Sequence, residues 1–384
     1  MGTKNITYLL GAGASANALP IINNLNARLS QFLYFLGGIT NTLELNSERV
    51  TIQNKIKDYY SLLKWLRDES KFHQSIDTFA KKLFLTDKLA FIKLKKALIF
   101  YFILEQCVKL DELKYYDSDK IPKEFKNESL INVNEEQLDK RYDNLIASLL
   151  NKNGEGIEIN PRIKILTWNY DMQIELAFKR YFQTNIEGVK GTVNIFPSKL
   201  WNMKETNGLI TEDKFTLIKL NGEAYISEDL NYFPESKDSI IDKIQFGKGN
   251  FFENVGFIVE NMNAIEKNKT SFILNLDNFT FAWEENKPNG YNKAFKYVQS
   301  ISEKTNILIV IGYSFPYFNS EIDKKILENM KPQEIIIQDF DSETIEERIK
   351  ELSPKFSGPF TSENRKPIIK HSKPGNYFYI HSDT

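Results

Sequence analysis

An amide and a carboxylate stand two residues apart where the chain leaves an apolar run. The run ends at Thr167, and Asn169 and Asp171 follow it. Both side chains can hold a ligand by hydrogen bonds. The same spacing fits an Asx turn in which Asp171 caps a helix running through Ala177. The two residues are therefore candidates for ligand chemistry, with the helix cap as the alternative.

A glycine-rich turn follows the first apolar run of the chain. It reads Gly11, Ala12, Gly13 and, two residues on, Ser15 and Ala16. Gly11 allows a tight turn, Gly13 lets backbone N–H groups approach phosphate oxygens, and Ala16 is small enough for a helix to pack on its strand. The pattern predicts a pyrophosphate site at a helix N-terminus, although such a turn also occurs where no phosphate binds.

Polar residues also follow three later apolar runs. Asn221 and Gly222 follow one of them, and an Asn–Gly pair is equally typical of a plain turn. Gly312 and Ser314 follow the next and are predicted to face a ligand. Asp339 follows the last, at the position where nucleotide-binding folds hold ribose hydroxyls.

Five short β-branched runs must position these groups. They lie at 6–10, 163–167, 216–220, 307–311 and 334–338. Each is predicted to be a buried parallel strand, since each is followed by a turn or a polar residue and long segments separate several of them. The sequence therefore predicts an α/β fold: a Rossmann-like, doubly wound parallel sheet with a large helical insertion. Ligands of such sheets lie outside the carboxyl ends of the strands.

The predicted sheet draws on three separated parts of the chain. These are about 1–20, 155–226 and 305–345, with a helical insertion at 21–154, a second insertion at 227–304 and a C-terminal arm at 346–384. Helices are predicted at 75–85, 88–110, 250–267 and 291–303. Ser320 with Asp323 resembles a capping box that opens a further helix. The polar, proline-containing arm is predicted to be extended and to dock on another surface.

Composition excludes several classes of protein. Of 384 residues 41% are apolar, and 50 basic residues balance 51 acidic ones, so no basic excess suggests direct binding of nucleic acid. The uncharged run at 97–104 is far shorter than the roughly 20 residues that span a bilayer. No signal-peptide pattern precedes the first strand. We expect a cytoplasmic protein without membrane contact.

Neither a metal site nor a histidine-based catalytic group is expected. The single cysteine, Cys107, excludes an internal disulfide and a four-cysteine zinc module. His73, His371 and His381 lie outside every polar turn described above, and a lone histidine is more often solvated than catalytic.

Taken together, the polar turns resemble the sirtuin-like family of the silent-information-regulator type. The resemblance is spread over positions 6–340, although most of the helical insertion is unmatched. The matching residues are Gly11, Gly13, Ser15, Leu19 and Pro20 (GAGxS…P), Thr167, Asn169 and Asp171 (T-x-N-x-D), Lys219, Leu220, Asn221 and Gly222 (K-L-H-G), Gly312 and Ser314 (G-x-S), and Asp339 (N-x-D).

This resemblance implies that NAD+ is the substrate and that no metal is needed. It implies that the backbone at 12–15 and the following helix bind the pyrophosphate, and that Asn169 orients the nicotinamide ribose and the attacking water. Asp171 braces Asn169 or contacts the carboxamide, while Ser314 and Asp339 serve the adenosine half. The remaining nucleotide contacts are expected at Gly11, Ala12, Gly13, Ser15, Thr167 and Gly312.

Departures from the family pattern narrow the implied function. Protein deacylases of this family carry a four-cysteine zinc ribbon, which Cys107 alone cannot build. Segments 75–79 and 281–284, with Trp168 and Tyr170, look like the bacterial anti-phage branch. Members of that branch hydrolyse NAD+ to nicotinamide and ADP-ribose and cause abortive infection. Relatives of about this length assemble with a HerA-type hexameric ATPase, so the resemblance implies a homo-oligomer with such a partner.

Asn221 stands where the family usually has histidine. In deacylation that histidine helps to remove a ribose proton, which an amide cannot do because it does not titrate near neutrality. Hydrolysis with a good leaving group requires mainly that ribose and water be positioned, and Asn221 could still hold a ribose hydroxyl. Two functions stay open: an NAD+ hydrolase effector, and a catalytically silent, nucleotide-binding assembly subunit. Asn221 could also be an introduced, inactivating change.

Overall fold

The computed structural model describes residues 4–19, 25–41, 47–108, 137–153, 156–198, 214–225, 239–244, 251–267, 276–285, 287, 290–357 and 366–384. The chain divides into two compact units. The sheet unit comprises Met1–Ser15, Leu138–Glu223 and Thr280–Thr384, and the helical unit comprises Ala16–Gln137 and Ala224–Phe279. These divisions differ from the predicted insertions at 21–154 and 227–304. The C-terminal parts of both insertions, 138–154 and 280–304, belong to the sheet unit.

The strands confirm the predicted α/β sheet. The five predicted strands are present within one residue of their expected ends, whereas four further strands, the second, third, fifth and ninth along the described chain, were not predicted. In the described part of the chain the strands are β1 (Ile6–Leu10), β2 (Leu150–Asn153), β3 (Gly156–Ile159), β4 (Ile163–Thr167), β5 (Asn194–Phe196), β6 (Thr216–Lys219), β7 (Ile307–Ile311), β8 (Glu334–Gln338) and β9 (Ile368–Ser372).

Seven of these strands form one parallel sheet in the order β5-β6-β4-β1-β7-β8-β9, and β2 and β3 form a separate hairpin. β1 is central, because Ile6 pairs with Ile163 of β4 on one side and with Ile307 of β7 on the other. The chain first builds the sheet from β1 toward β5 and then returns to the opposite side of β1. Such a reversal opens a crevice at the carboxyl ends of the strands. The predicted polar turns all start at this edge.

Helices cover the sheet and build the second unit. Their described bounds are α1 (Leu25–Asn41), α2 (Ser47–Ser70), α3 (Ile76–Thr86), α4 (Lys88–Cys107), α5 (Lys140–Leu149), α6 (Gln173–Phe182), α7 (Ile186–Thr192), α8 (Ile240–Lys243), α9 (Phe251–Lys267), α10 (Tyr291–Lys304), α11 (Ser320–Asn329) and α12 (Ser342–Leu352). The predicted helices at 75–85, 88–110, 250–267 and 291–303 correspond to α3, α4, α9 and α10. Positions 109, 110 and 250 lie outside the described residues.

One face of the sheet packs against α10, α11 and α12. Their amphipathic periodicity directs apolar side chains to the strands, where burying each large one contributes roughly 1.5–3 kcal/mol. This core includes Leu9, Leu166 and Val310 from the central strands and Val298, Ile326 and Ile349 from the helices.

The segment predicted to be a docking arm is part of the sheet unit. β9 adds to β8 as a parallel edge strand. Beyond it, Phe378 is only 3% exposed, and its ring lies 4.9 Å from that of Tyr142, centroid to centroid. The arm therefore docks on its own sheet unit. The strand Ile368–Ser372 was not predicted, because it is short and has little apolar periodicity.

The helical unit has its own core. Phe35 of α1 contacts Phe251 of α9, and Tyr59 of α2 contacts Phe100 of α4. Arg28 forms a buried ion pair with Glu105, at 2.8 Å from Nε to Oε1. Among the described helices none is long and apolar enough to cross a membrane.

Candidate functional site

The glycine turn after β1 packs directly on the turn after β7. The Gly11 N–H donates to the Ile311 carbonyl (3.1 Å) and the Gly13 N–H to the Gly312 carbonyl (2.9 Å). A Cβ at Gly11 would lie 2.6 Å from the Gly312 carbonyl oxygen, and one at Gly13 would lie 2.7 Å from the Gly312 Cα. Close contact between two backbones therefore requires these glycines, independently of any phosphate.

The expected helix N-terminus is not present at this turn. Ala12–Ser15 form a 3₁₀ turn, the described residues 16–19 are not helical, and the next described α-helix is α1. The Gly13 and Ala14 N–H groups donate to the carbonyls of Gly312 and Gly11. The turn therefore does not open directly into a helix, and two of the proposed backbone donors already have protein partners, while pyrophosphate binding at this turn stays a prediction. The glycine pattern did not reveal this turn, because contacts with the distant Gly312 loop determine its conformation.

Gly312→Ala should destabilise the chain by about 2–5 kcal/mol. Gly312 has a φ of +58°, and an added Cβ would lie 2.4 Å from the Ala14 nitrogen. A left-handed backbone costs roughly 1–2 kcal/mol, and overpacking costs about 1–3 kcal/mol more. Urea unfolding measures the loss. Gly375→Ala is the matched control, because nothing lies within 4 Å of its added Cβ. Equal stability of the two variants would contradict the close packing of the two turns.

Ser15 is the centre of a buried hydrogen-bond cluster. Its hydroxyl donates to Asp171 Oδ2 (2.7 Å) and accepts from Asn169 Nδ2 (3.1 Å). Tyr142 lies 3.0 Å away, and it must be the donor because the Ser15 proton goes to Asp171. Asn169 Nδ2 also donates to the Gly11 carbonyl at 2.9 Å. The structure thus brings together the predicted residues from the turns after β1 and β4.

Asp171 and Thr167 act within this cluster as supports. Asp171 Oδ1 accepts from the Gln173 N–H (3.1 Å), which confirms the Asx turn, although the N-cap of α6 is Met172 rather than Asp171; Oδ2 braces Asn169 through Ser15. Burial raises the pKa of Asp171, opposed by Lys219. Thr167 Oγ1 accepts from the Asn169 N–H at 3.1 Å. These hydrogen bonds fix the backbone and the amide of Asn169.

Asn221 lies on the neighbouring turn, after β6. The Leu220 N–H donates to the Thr167 carbonyl (2.8 Å), which joins this turn to the one that carries Asn169. The Asn221 carbonyl accepts from the Thr280 N–H at 2.9 Å, and Tyr170 OH donates to the Thr280 carbonyl at 2.9 Å. The Asn221 side chain is buried, and no described group donates to its Oδ1. A buried amide oxygen without a donor is costly, so it marks a place for one.

Four buried charges lie beneath the Asn221 turn. Lys219 Nζ contacts Glu175 Oε1 at 2.6 Å and donates to the Asp171 carbonyl at 2.7 Å. Lys190 Nζ donates to Glu223 Oε1 at 2.7 Å, and Glu223 Oε2 lies 3.8 Å from Lys219. Burial raises the pKa of Glu223, although the two lysines oppose this shift. Burial alone would lower the pKa of Lys190, but the neighbouring Glu223 carboxylate raises it above its ordinary value. The cluster joins the turns after β4 and β6.

Asp323 joins the turns after β4 and β7, instead of forming the predicted capping box. It is 1% exposed and accepts from Trp168 Nε1 (3.1 Å) and Tyr313 OH (2.6 Å). The N-terminus of α11 lies at Asn319 without a side-chain cap. The capping-box prediction from Ser320 and Asp323 was therefore wrong, because two buried donors from distant turns hold the carboxylate.

Asp323→Asn should change how stability depends on pH. Burial raises the pKa of Asp323 from 3.8 to about 8, against the hydrogen bonds from Tyr313 and Trp168. Between these values the folded chain holds a proton that the unfolded chain has lost. The free energy of unfolding therefore falls as pH rises from about 4 to 8, by up to about 1.4 kcal/mol per pH unit. An asparagine can accept from Trp168 without this titration.

Urea unfolding of both proteins at pH 6 and pH 9 measures this effect. Asp323→Asn should gain stability relative to the unmodified chain as the pH rises. A difference between the two proteins that stays constant over this range would contradict the raised pKa.

Ser314 and Asp339 lie at the same edge, after β7 and β8. Ser314 is exposed, and its carbonyl accepts from Arg348. Asp339 is half-buried, and its Oδ1 accepts from the Asp341 N–H (3.1 Å) in the turn before α12. No described contact links either residue to the Ser15 cluster. Their predicted role toward adenosine stays a prediction.

Sequence reasoning missed several residues that hold the site. Tyr142 and Arg141 lie on α5, inside the predicted insertion, and bond the glycine turn: Arg141 Nη2 donates to the Ala14 carbonyl at 3.1 Å. Lys190 is the buried partner of Glu223, and Glu175 is the buried partner of Lys219, the lysine at the end of an apolar strand. That lysine is the one signal in the sequence, because a charge in a buried strand requires partners.

In the described part of the chain, no group of three or more His, Cys, Asp or Glu side chains could hold a metal ion. No protein-family model matches this chain, and a search of the curated proteins finds no match either. The resemblance to the sirtuin-like family therefore depends on the short sequence elements at the strand ends.

Proposed function

We propose that this chain hydrolyses NAD+ to nicotinamide and ADP-ribose at the carboxyl edge of its sheet. The observation that carries the proposal is the buried Asn221 Oδ1, for which no described residue provides a donor. It follows β6, beside the strand that delivers Asn169. A ligand rich in hydroxyl groups, such as a ribose, supplies the missing donor.

Asn169 offers a second acceptor at this edge. Its Nδ2 donates to Gly11 and Ser15, which fixes the direction of the amide. Nothing in the described residues donates to its Oδ1, which can therefore accept from a ribose hydroxyl or from water. Two amide oxygens on adjacent turns suit a diol or a water molecule better than they suit a phosphate, which carries acceptors.

The proposed chemistry relies on position rather than on a strong base. Cleavage of the bond between C1′ and nicotinamide passes through an oxocarbenium-like state, which water then attacks. Both Asp171 oxygens accept hydrogen bonds from protein groups, and Asn169 and Asn221 do not titrate near neutrality. Orienting the ribose and the water can lower the barrier by several kcal/mol, and the proton that the attacking water loses passes to solvent.

The alternative is a silent, nucleotide-binding assembly subunit. The occupation of both Asp171 oxygens by protein donors favours it, since losing a general base costs about 10²- to 10⁴-fold in rate. NAD+ consumption and product chromatography separate the two functions, using the unmodified chain and Asn221→His. Products from the unmodified chain support the hydrolase. Products only from Asn221→His support the silent subunit, and none from either protein contradicts the hydrolase.

The cellular role that we propose follows the resemblance. The chain would act in the cytoplasm as an anti-phage effector that lowers NAD+ on infection, as a homo-oligomer with a HerA-like ATPase. Infected bacteria that carry the chain should lose NAD+ before lysis, while those carrying Asn169→Ala should not. Unchanged NAD+ in both strains would contradict this role.

A further inference from the structure

The segment 373–384 packs against Arg141 and Tyr142, the α5 residues that hold the glycine turn. Phe378 is its buried anchor, at 3% exposure. The Phe378 ring meets the Tyr142 ring edge-on, with centroids 4.9 Å apart and planes at 76°. The Arg141 guanidinium carbon lies 4.9 Å from the centre of the same ring. One side chain thus packs on two adjacent residues of α5.

Those two α5 residues reach the site directly. Tyr142 OH lies 3.0 Å from Ser15 Oγ, and Arg141 Nη2 donates to the Ala14 carbonyl at 3.1 Å. Asp139 pairs with Arg141, at 2.6 Å between Oδ2 and Nη2, and so orients the guanidinium. Ser15 in turn accepts from Asn169. A continuous set of contacts therefore runs from Phe378 to the amide that faces the ligand.

Gln338, the last residue of β8, provides a second link. Its side chain donates to the Tyr377 carbonyl and accepts from the Tyr379 N–H, both at 2.9 Å. Its backbone carbonyl accepts from the Gly312 N–H at 3.2 Å. Because Gly312 packs on Gly11 and Gly13, the segment also supports the turn from the β8 side.

We propose that the segment 373–384 is a positioning element of the site, with Phe378 fixing Tyr142 and Arg141 and, through them, Ser15 and Asn169. The inference rests on the proposed function for its activity readout. The described ring contacts of Phe378 are with Tyr142 and Arg141, which are not among the predicted ligand-binding residues. Its effect on the reaction is therefore through the orientation of Asn169. A displacement of about 1 Å in such a group can lower a rate a hundredfold.

Phe378→Ala is the decisive variant, and the chain offers two matched controls. Phe356→Ala removes an equally buried phenylalanine from the core on the α10–α12 face, and Tyr377→Ala removes the exposed neighbouring side chain. We expect Phe378→Ala to lower kcat for NAD+ cleavage at least tenfold with KM changed less than threefold. Tyr377→Ala should retain kcat, and Phe356→Ala should lower stability without this loss of kcat. Phe378→Leu should lie between Phe378→Ala and the unmodified chain.

Hydrogen exchange at the Gly13 and Ala14 amides tests the same inference without any activity. These amides donate to the Gly312 and Gly11 carbonyls. Phe378→Ala should speed their exchange at least tenfold more than Phe356→Ala does. If NAD+ is not hydrolysed at all, the proposed function fails while this measurement still decides the positioning role. Equal exchange in the two variants would overturn the inference, and Phe378→Leu replaces Phe378→Ala if the latter does not fold.

Discussion

Replacing Asn169 by alanine should lower NAD+ cleavage by about a hundredfold or more while the chain still folds. The variant loses the amide oxygen that we propose as an acceptor for the ligand and the two hydrogen bonds that its nitrogen donates to the Gly11 carbonyl and to Ser15. Losing one positioned group in a site typically costs about 10²- to 10³-fold in rate. Initial rates of nicotinamide release measure the effect, and circular dichroism checks the fold.

Asn261→Ala is the matched control for this variant. Asn261 is also buried, and its Nδ2 donates to a backbone carbonyl, that of Phe257, within α9. The control should lose a similar hydrogen bond and keep its rate of nicotinamide release. A rate for Asn169→Ala within threefold of the control would remove Asn169 from the mechanism.

Lys219→Met should lower the free energy of unfolding by about 3–5 kcal/mol. Lys219 is 1% exposed and neutralises Glu175, which is fully buried. Removing one member of a buried charge group leaves the opposite charge without compensation in a medium of low dielectric constant. The variant also loses the hydrogen bond to the Asp171 carbonyl, so the turn that carries Asn169 should loosen. Urea unfolding measures the stability.

Lys325→Met is the control for this change. Lys325 and Glu321 form an exposed ion pair at 2.7 Å on one face of α11. Exposed pairs contribute less than about 1 kcal/mol, so this variant should unfold almost like the unmodified chain. A Lys219→Met protein that is as stable as Lys325→Met would show that the buried cluster does not hold the two turns together.

Much of the fold could be predicted because it depends on local patterns. The runs at 6–10, 163–167 and 307–311 are fully buried in the sheet, and uninterrupted apolar runs of that length are typical of such strands. The polar turns could then be placed at one edge, since parallel strands all end on the same side. Local signals failed for β9, whose side chains are mostly exposed, so no periodicity marks the strand.

The detailed site could not be predicted because it depends on contacts far apart in the sequence. Tyr142 meets Ser15 across 127 positions, and Trp168 meets Asp323 across 155. Neither pair leaves a local pattern. The sequence suggested that Asp323 caps a helix, but a capping box is a weak preference that two buried hydrogen bonds outweigh.

The glycine turn illustrates how one pattern can have two physical causes. Gly11 and Gly13 were interpreted as making room for a phosphate, while the structure shows that they make room for the Gly312 turn. Both causes require the same absence of a Cβ, so the sequence alone cannot separate them. We propose the amide oxygens of Asn169 and Asn221 as the ligand-facing groups instead.

The most direct test of NAD+ hydrolysis is to incubate the purified, unmodified chain with NAD+ in oxygen-labelled water and to identify the products by mass spectrometry. Hydrolysis predicts nicotinamide and ADP-ribose in equal amounts, with one oxygen of the ADP-ribose taken from the water. NAD+ that stays intact at high protein concentration, or nicotinamide released without labelled ADP-ribose, would contradict it.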